Sequence, residues 1–144
     1  MADATTMRIF AVANQKGGVG KTTTTTSLGA ALAEKGKRVL VVDLDPQGNS
    51  TIGLGIKTEN RQTIAELLCQ EECNVKDVVQ DTYIEGLHIL PSDVSLAVAD
   101  VKLAQIQAKE FALRSKLVDL QYDYIIIDTS PTFGTLLTNA VLAA

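Results

Sequence analysis

Asn14-Gln15-Lys16-Gly17-Gly18-Val19-Gly20-Lys21-Thr22 stands between an apolar run, Met7 to Ala13, and an alanine-rich run that extends to Lys35. A phosphate oxyanion needs several backbone N–H groups aimed at it from close range, and residues without a Cβ let the chain curl tightly enough. Gly17, Gly18 and Gly20 supply that freedom. A helix starting at about Thr22 adds its unsatisfied first-turn N–H groups and the positive end of its dipole. Lys21 offers a point charge for the β- and γ-phosphates, and the Thr22 hydroxyl is placed to ligate Mg2+. The stretch therefore predicts a phosphate-binding loop. It departs from the pattern G-x-x-x-x-G-K-[ST], because with Gly20 as the second glycine the first falls on Gln15. In exchange there is a second lysine, Lys16. The plainer alternative is a glycine-rich turn that binds nothing, but three glycines, two lysines and a run of threonines cost stability there and serve no packing purpose.

Working outward, Met7 to Ala13 reads as a parallel strand buried on both faces. From Thr22 to Lys35 the pattern is helical, with Leu28, Ala31 and Leu32 as its apolar stripe and Gly36 at the C-terminal cap. Threonines 22–26 are poor helix formers, so their hydroxyls are expected to matter more than propensity. Arg38 to Asp43 is a second buried strand, which completes a βαβ unit. It runs into Leu44-Asp45-Pro46-Gln47-Gly48-Asn49-Ser50. Open α/β sheets bind ligands at the carboxyl ends of their strands, so Asp43 and Asp45 are expected to project towards the phosphate loop.

Gly53 to Gln62 reads as a polar connection, followed by a helix from Thr63 to about Glu71 with Thr63 as N-cap and Glu66 as its capping-box partner. Its apolar face is Ile64, Leu67 and Leu68. Val75 to Gln80 reads as another helical turn and Leu87 to Pro91 as a third strand. The only histidine, His88, reads as a residue of a sheet-edge strand. Ser92 to Leu120 carries helical spacing, as one long helix or two with a break near Lys109-Glu110. Its charges, including Asp100, Lys102, Arg114, Lys116 and Asp119, form a solvated face. Tyr122 to Asp128 is a fourth strand ending in the carboxylate of a Walker B motif, which holds Mg2+ through water. A loop and a last helix from about Thr135 follow.

A length of 144 residues points to one domain, residues 1–144, and 46% hydrophobic against 21% charged residues is ample for a packed core. The net charge of −4 makes no global case for a nucleic-acid-binding face. Cys69 and Cys73 have one histidine and no further cysteine to complete a metal site, so they are read as free thiols in a reducing compartment. Neither a signal peptide nor an apolar run approaching the roughly 18 residues of a membrane span is present.

Three motifs, Lys16 to Thr22, Asp43 to Asn49 and Ile125-Ile126-Ile127-Asp128, resemble the ParA/Soj-type chromosome- or plasmid-partitioning ATPases of the ParA/MinD superfamily, which carry a deviant Walker A loop. The likeness runs over nearly the whole chain and includes Ile89 to Ser92 and Thr138-Asn139-Ala140. Asp-Pro-Gln-Gly-Asn separates this group from MinD-like proteins, and the nitrogenase iron protein needs cluster cysteines that this sequence lacks. The resemblance implies an α/β P-loop NTPase fold, a mostly parallel sheet flanked by helices, incomplete at the C-terminus. It implies ATP and Mg2+ as cofactors. Gly17, Gly18, Val19, Gly20, Lys21, Thr22 and Thr23 would wrap the phosphates, Thr22 would bind Mg2+, and Asp128 would support that ion through water. Asp45 would position or activate the attacking water, and Lys16 would reach the nucleotide of the partner subunit. Also implied are a homodimer on ATP binding, a ParB-like stimulator, non-specific DNA binding through a C-terminal part that this sequence does not reach, and a cytoplasmic, nucleoid-associated location without membrane attachment. The loop Thr129-Ser130-Pro131 differs from the family, which commonly has a small residue or Cys followed by two prolines. Alternatives within the superfamily are a MinD-like membrane-associated regulator, marked by a terminal amphipathic helix, and an ATP-dependent metabolic enzyme such as an amidoligase, which needs an additional polar substrate pocket.

Overall fold

The computed structural model describes residues 6–13, 20–132 and 134–144, apart from the side chain of Lys21. Chain order runs β1 (Arg8–Val12), α1 (Lys21–Glu34), β2 (Val39–Leu44), α2 (Asn49–Gly53), α3 (Ile64–Cys69), α4 (Val75–Val78), β3 (Gln80–Asp81), β4 (Leu87–Leu90), α5 (Ser95–Leu103), a 3-10 turn (Lys109–Phe111), α6 (Ala112–Leu117), β5 (Tyr124–Thr129) and α7 (Thr135–Ala143). The strands form one sheet in the order β1-β5-β2-β4-β3. All pairings are parallel except the short β3 against β4. This is the expected mostly parallel α/β sheet flanked by helices.

The central strands β2 and β5 explain the two-sided burial. Leu40, Val42, Leu44, Ile125 and Ile127 join one apolar cluster with α3, α5, α6 and α7, while Val39, Val41 and Ile126 join another with Ala33 of α1 and Leu54. Alternating side chains point to opposite faces of a strand, so a strand covered on both sides reads as a continuous apolar run. Helix α3 forms as expected: the Glu66 carboxylate accepts the Thr63 N–H at 2.7 Å, the Thr63 hydroxyl accepts the Ala65 N–H at 3.3 Å, and Ile64, Leu67 and Leu68 are buried.

Several expectations are corrected. On α1 the buried residues are Thr25, Gly29 and Ala33, whereas Leu28 is 40% exposed and Ala31 is also exposed. The helix lies so close to the sheet that a Cβ built on Gly29 would sit 3.1 Å from Leu87 Cδ1, so small residues face inward and the larger leucine cannot. Helix α2 and strand β3 were not foreseen. The stretch from Ser92 starts its helix only at Ser95, and the break is wider than expected, passing through Ala108 in a left-handed conformation at φ 57°. Lys116 is not a solvated charge, because its ammonium donates to the carbonyls of Gln70, Glu71 and Cys73 beyond the C-terminus of α3. His88 is not on the edge strand. It lies on β4, inside β3, with Nδ1 2.9 Å from the Tyr122 hydroxyl and Nε2 3.3 Å from Asp81. Both cysteines are free thiols, as expected. No described helix is long and apolar enough to cross a membrane.

Asp43, at the upper end of β2, is fully buried. Thr51 donates its backbone N–H at 2.9 Å and its hydroxyl at 2.7 Å to Oδ2, and the Asp45 N–H donates to Oδ1 at 3.3 Å. Burial outweighs these donors and, with a smaller push from the Asp128 charge, raises the Asp43 pKa to about 7. The carboxylate is thus committed to Thr51 and Asp45 rather than free to serve a ligand.

Two outcomes follow from these contacts. Gly29→Leu should destabilise the protein by roughly 1–3 kcal/mol through overpacking, whereas Leu28→Ala on the exposed face should cost under about 0.5 kcal/mol, both read by urea denaturation. Asp43 is neutral when folded and ionised when unfolded between pH 4 and 7. Its contribution to stability is therefore present below pH 4 and lost as pH rises through 7, so the wild-type protein should lose up to about 1.4 kcal/mol per pH unit relative to Asp43→Asn across that window. A stability difference that stays flat from pH 4 to 7 would contradict the assignment.

Candidate functional site

The parallel register sets Val12 of β1 beside Asp128 of β5, and Asp128 beside Asp43 of β2, so three strands end at one level. β5 lies between β1 and β2. The N-terminus of α1 lies over the end of β5, within hydrogen-bond reach of Asp128. Gly20 precedes the helix with φ 82°, a left-handed conformation that favours glycine, and its carbonyl accepts the Thr24 N–H at 2.8 Å. Among the described residues no side-chain oxygen caps the helix, and no acidic residue lies in its first turn. That leaves the first-turn amides and the positive dipole end available to an anion.

Thr22 donates its hydroxyl to Asp128 Oδ2 at 2.8 Å. The same oxygen accepts the Ser50 hydroxyl at 2.6 Å. Asp128 is 1% exposed, and the adjacent Thr129 donates its hydroxyl to the Val12 carbonyl at 2.8 Å, tying the end of β5 to the end of β1. The remaining threonines of α1 divide their roles. Thr25 is buried against the sheet, Thr26 donates back to the Thr22 carbonyl at 3.0 Å, and Thr23 and Thr24 are exposed. Thr22 is the threonine of this run whose hydroxyl meets the end of β5, while Thr26 turns its hydroxyl back to the helix backbone.

Asp45 follows β2 and is 7% exposed. Its carboxylate accepts the Gln47 N–H at 3.0 Å, and its carbonyl accepts the Gly48 N–H at 2.9 Å, closing a turn through Pro46. The segment is a turn, but its carboxylate is held inside rather than solvated. Helix α2 then delivers adjacent hydroxyls to adjacent carboxylates, Ser50 to Asp128 and Thr51 to Asp43. Ser92, just beyond β4, donates its N–H to Thr51 Oγ1 at 2.9 Å and its hydroxyl to the Asp45 carbonyl at 2.7 Å.

Of the sequence-predicted residues, Thr22 and Asp128 are bonded to each other, Gly20 stands at the N-cap of α1, and Asp45 lies one residue beyond β2 at the same carboxyl end of the sheet. Thr23 is exposed on the same first turn of α1. Lys16, Gly17, Gly18 and Val19 lie outside the described residues, as does the side chain of Lys21. Asn139, noted only as part of a likeness, clips two elements together: its amide donates to the Lys109 and Thr135 carbonyls and its Oδ1 accepts the Leu113 N–H. Sequence reading missed Ser50, Thr51 and Ser92 as functional positions. The one available signal was two hydroxyl residues directly after Gly48-Asn49. Among the described residues, no group of three or more His, Cys, Asp or Glu could enclose a metal. The donor set is one hydroxyl and one carboxylate, which suits Mg2+ held largely by water and phosphate.

A sequence model described as an AAA domain matches residues 7–144. The sporulation initiation inhibitor protein Soj of Bacillus subtilis is 46% identical over 140 residues, covering 95% of this chain and 55% of its own length. The chromosome partitioning protein ParA of Caulobacter vibrioides is 42% identical over 146 residues, covering 98% of this chain and 54% of its own. Among solved structures, cobyrinic acid a,c-diamide synthase from Mycobacterium smegmatis with bound ATP analog and magnesium superposes with a TM-score of 0.90 at 42% identity, over 96% of this chain and 57% of that one. The chain spans about half the length of the curated relatives it matches. It belongs to the AAA domain family, in which its likeness is to the sporulation initiation inhibitor protein Soj and the chromosome partitioning protein ParA.

Proposed function

We propose that this chain forms the ATP-binding and catalytic portion of a ParA-type partitioning switch. The observation that carries the reading is the Thr22 hydroxyl, in the first turn of α1, bonded at 2.8 Å to the buried Asp128 at the end of β5. This is the pairing a P-loop ATPase uses to hold a divalent cation beside its phosphates. A solved neighbour of the chain carries an ATP analog and magnesium, which supports the same two cofactors here.

Gly17, Gly18, Val19 and Gly20 would present backbone N–H groups to the phosphates, together with Lys21, Thr22 and Thr23 at the helix N-terminus. Thr22 would ligate the cation directly and Asp128 would hold it through water. Magnesium supplies charge neutralisation on the phosphate oxygens when bound. Asp45 would orient the attacking water or take its proton, because its carboxylate sits one residue beyond β2 and, among the described residues, accepts one backbone donor, the Gln47 N–H. Lys16 would serve the nucleotide of a second copy. Two lysines so close in one loop repel until a polyanion lies between them, so nucleotide should favour the homodimer. The dimer would hold DNA non-specifically through segments outside this chain, and a ParB-like protein would stimulate slow hydrolysis and release.

A second reading, a synthase, is favoured by the 42% identity to the Mycobacterium smegmatis structure. Steady-state ATP hydrolysis by the full-length protein separates the two. The switch predicts turnover stimulated by duplex DNA and unaffected by cobyrinic acid, and the synthase predicts the reverse. In either case Lys21→Ala should abolish nucleotide binding, read by calorimetry with an ATP analogue. Retained affinity would remove the loop assignment.

A further inference from the structure

Ser92 lies 47 residues from Asp45 in sequence, beyond β4, yet it bonds the Asp45–Thr51 segment through both its hydroxyl and its backbone N–H. Its hydroxyl donates to the Asp45 carbonyl at 2.7 Å, and its N–H donates to Thr51 Oγ1 at 2.9 Å. Its carbonyl oxygen lies 3.0 Å from the position a Cβ would take on Gly48, whose φ is +65°. Ser92 itself is 2% exposed and Thr51 is 2% exposed. The Thr51 hydroxyl passes the connection on to the fully buried Asp43 carboxylate at 2.7 Å.

We propose that Ser92 is a positioning residue for Asp45, fixing the peptide that carries the carboxylate so that it faces a water beside the γ-phosphate. The inference rests on the reading that gives Asp45 its role in hydrolysis. β2 secures Asp45 from one side only, because its pairing with β5 ends at Leu44↔Thr129. Past that point the Asp45 carbonyl accepts two bonds, from Gly48 N–H within the turn and from the Ser92 hydroxyl, and these set the plane of the following peptide. Of these only Ser92 refers that plane to a separate strand. The Ser92 hydroxyl is buried and bonded to the Asp45 carbonyl at 2.7 Å, with the Asp93 carbonyl a longer second acceptor at 3.5 Å, so the role assigned to it is to hold this peptide and not to bind phosphate. Its removal should therefore change the orientation of Asp45 without changing how the phosphates are held. A misplaced catalytic group loses rate far more readily than binding.

The test compares Ser92→Ala, Ser92→Thr and Asp45→Ala in the full-length protein. Turnover, ATP-analogue affinity and backbone amide exchange across residues 45–48 are measured for each. Ser92→Ala should lower kcat about tenfold, equivalent to about 1.4 kcal/mol of activation free energy, with affinity unchanged. Exchange at residues 45–48 should quicken while the β2 amides stay protected, and Ser92→Thr, which keeps the hydroxyl, should restore the rate. If Ser92→Ala turns over at the parent rate while Asp45→Ala is inactive, the positioning role is overturned and the Asp45 reading stands. Loss of melting temperature, affinity and rate together, with no rescue by threonine, also overturns it, by making Ser92 purely structural. Parent-rate hydrolysis by Asp45→Ala overturns the reading beneath the inference.

Discussion

Hydroxyl groups from two different helices, Thr22 of α1 and Ser50 of α2, converge on one oxygen of Asp128 at 2.8 Å and 2.6 Å. A carboxylate that is 1% exposed is costly to bury unless donors replace its water, and hydrogen bonds to a charged acceptor are among the stronger ones available. Meeting that requirement dictates where both helices start. α1 has to begin above the end of β5, and the chain from Asp45 to Gly48 has to turn back so that α2 can bring Ser50 over the same edge. The site is therefore a consequence of how one buried charge is satisfied.

The neighbouring carboxylate is handled differently. Asp43 sits beside Asp128 in register, and burial raises its pKa to about 7 while Thr51 supplies two of its three donors. Two adjacent buried carboxylates repel, and keeping one of them protonated relieves that repulsion. The pair then divides the work, with Asp128 turned to Thr22 and Ser50 and Asp43 turned to the loop that carries Asp45. In this arrangement the Ser92 bonds complete a circuit from β4 through Thr51 to β2. The segment from Asp45 to Thr51 is thus fixed at both ends although only its last three residues, Asn49 to Thr51, are helical.

Strands β2, β4 and β5 were legible in the sequence because two-sided burial demands unbroken apolar runs; β1 shows a similar run, but it is an edge strand with no fully buried residue and Phe10 42% exposed, so its expected burial on both faces is corrected. Asp45 and Asp128 were legible because they stand at the ends of such runs. Helix α3 was legible from its capping box. The phase of α1 was not, since a helix seated tightly on a sheet turns Thr25, Gly29 and Ala33 inward and leaves Leu28 outside, against the usual amphipathic pattern. α2 was missed because a five-residue helix opening with Asn, Ser and Thr carries turn-like residues and no period. Ser92 was noted only as part of a likeness, and its contacts could not be read from sequence, because its partners lie 41 and 47 residues away and no local pattern encodes them. Lys116 was misread for the same reason: the carbonyls it caps belong to a distant turn.

The central claim is that Thr22 and Asp128 hold the cation that accompanies nucleotide. Calorimetric binding of an ATP analogue to Thr22→Val, with magnesium and with chelator, tests it most directly. The account predicts that the wild-type protein binds more tightly with magnesium, and that the variant loses this difference while matching the wild type in chelator. A variant whose affinity still rises with magnesium as in the wild type would contradict it.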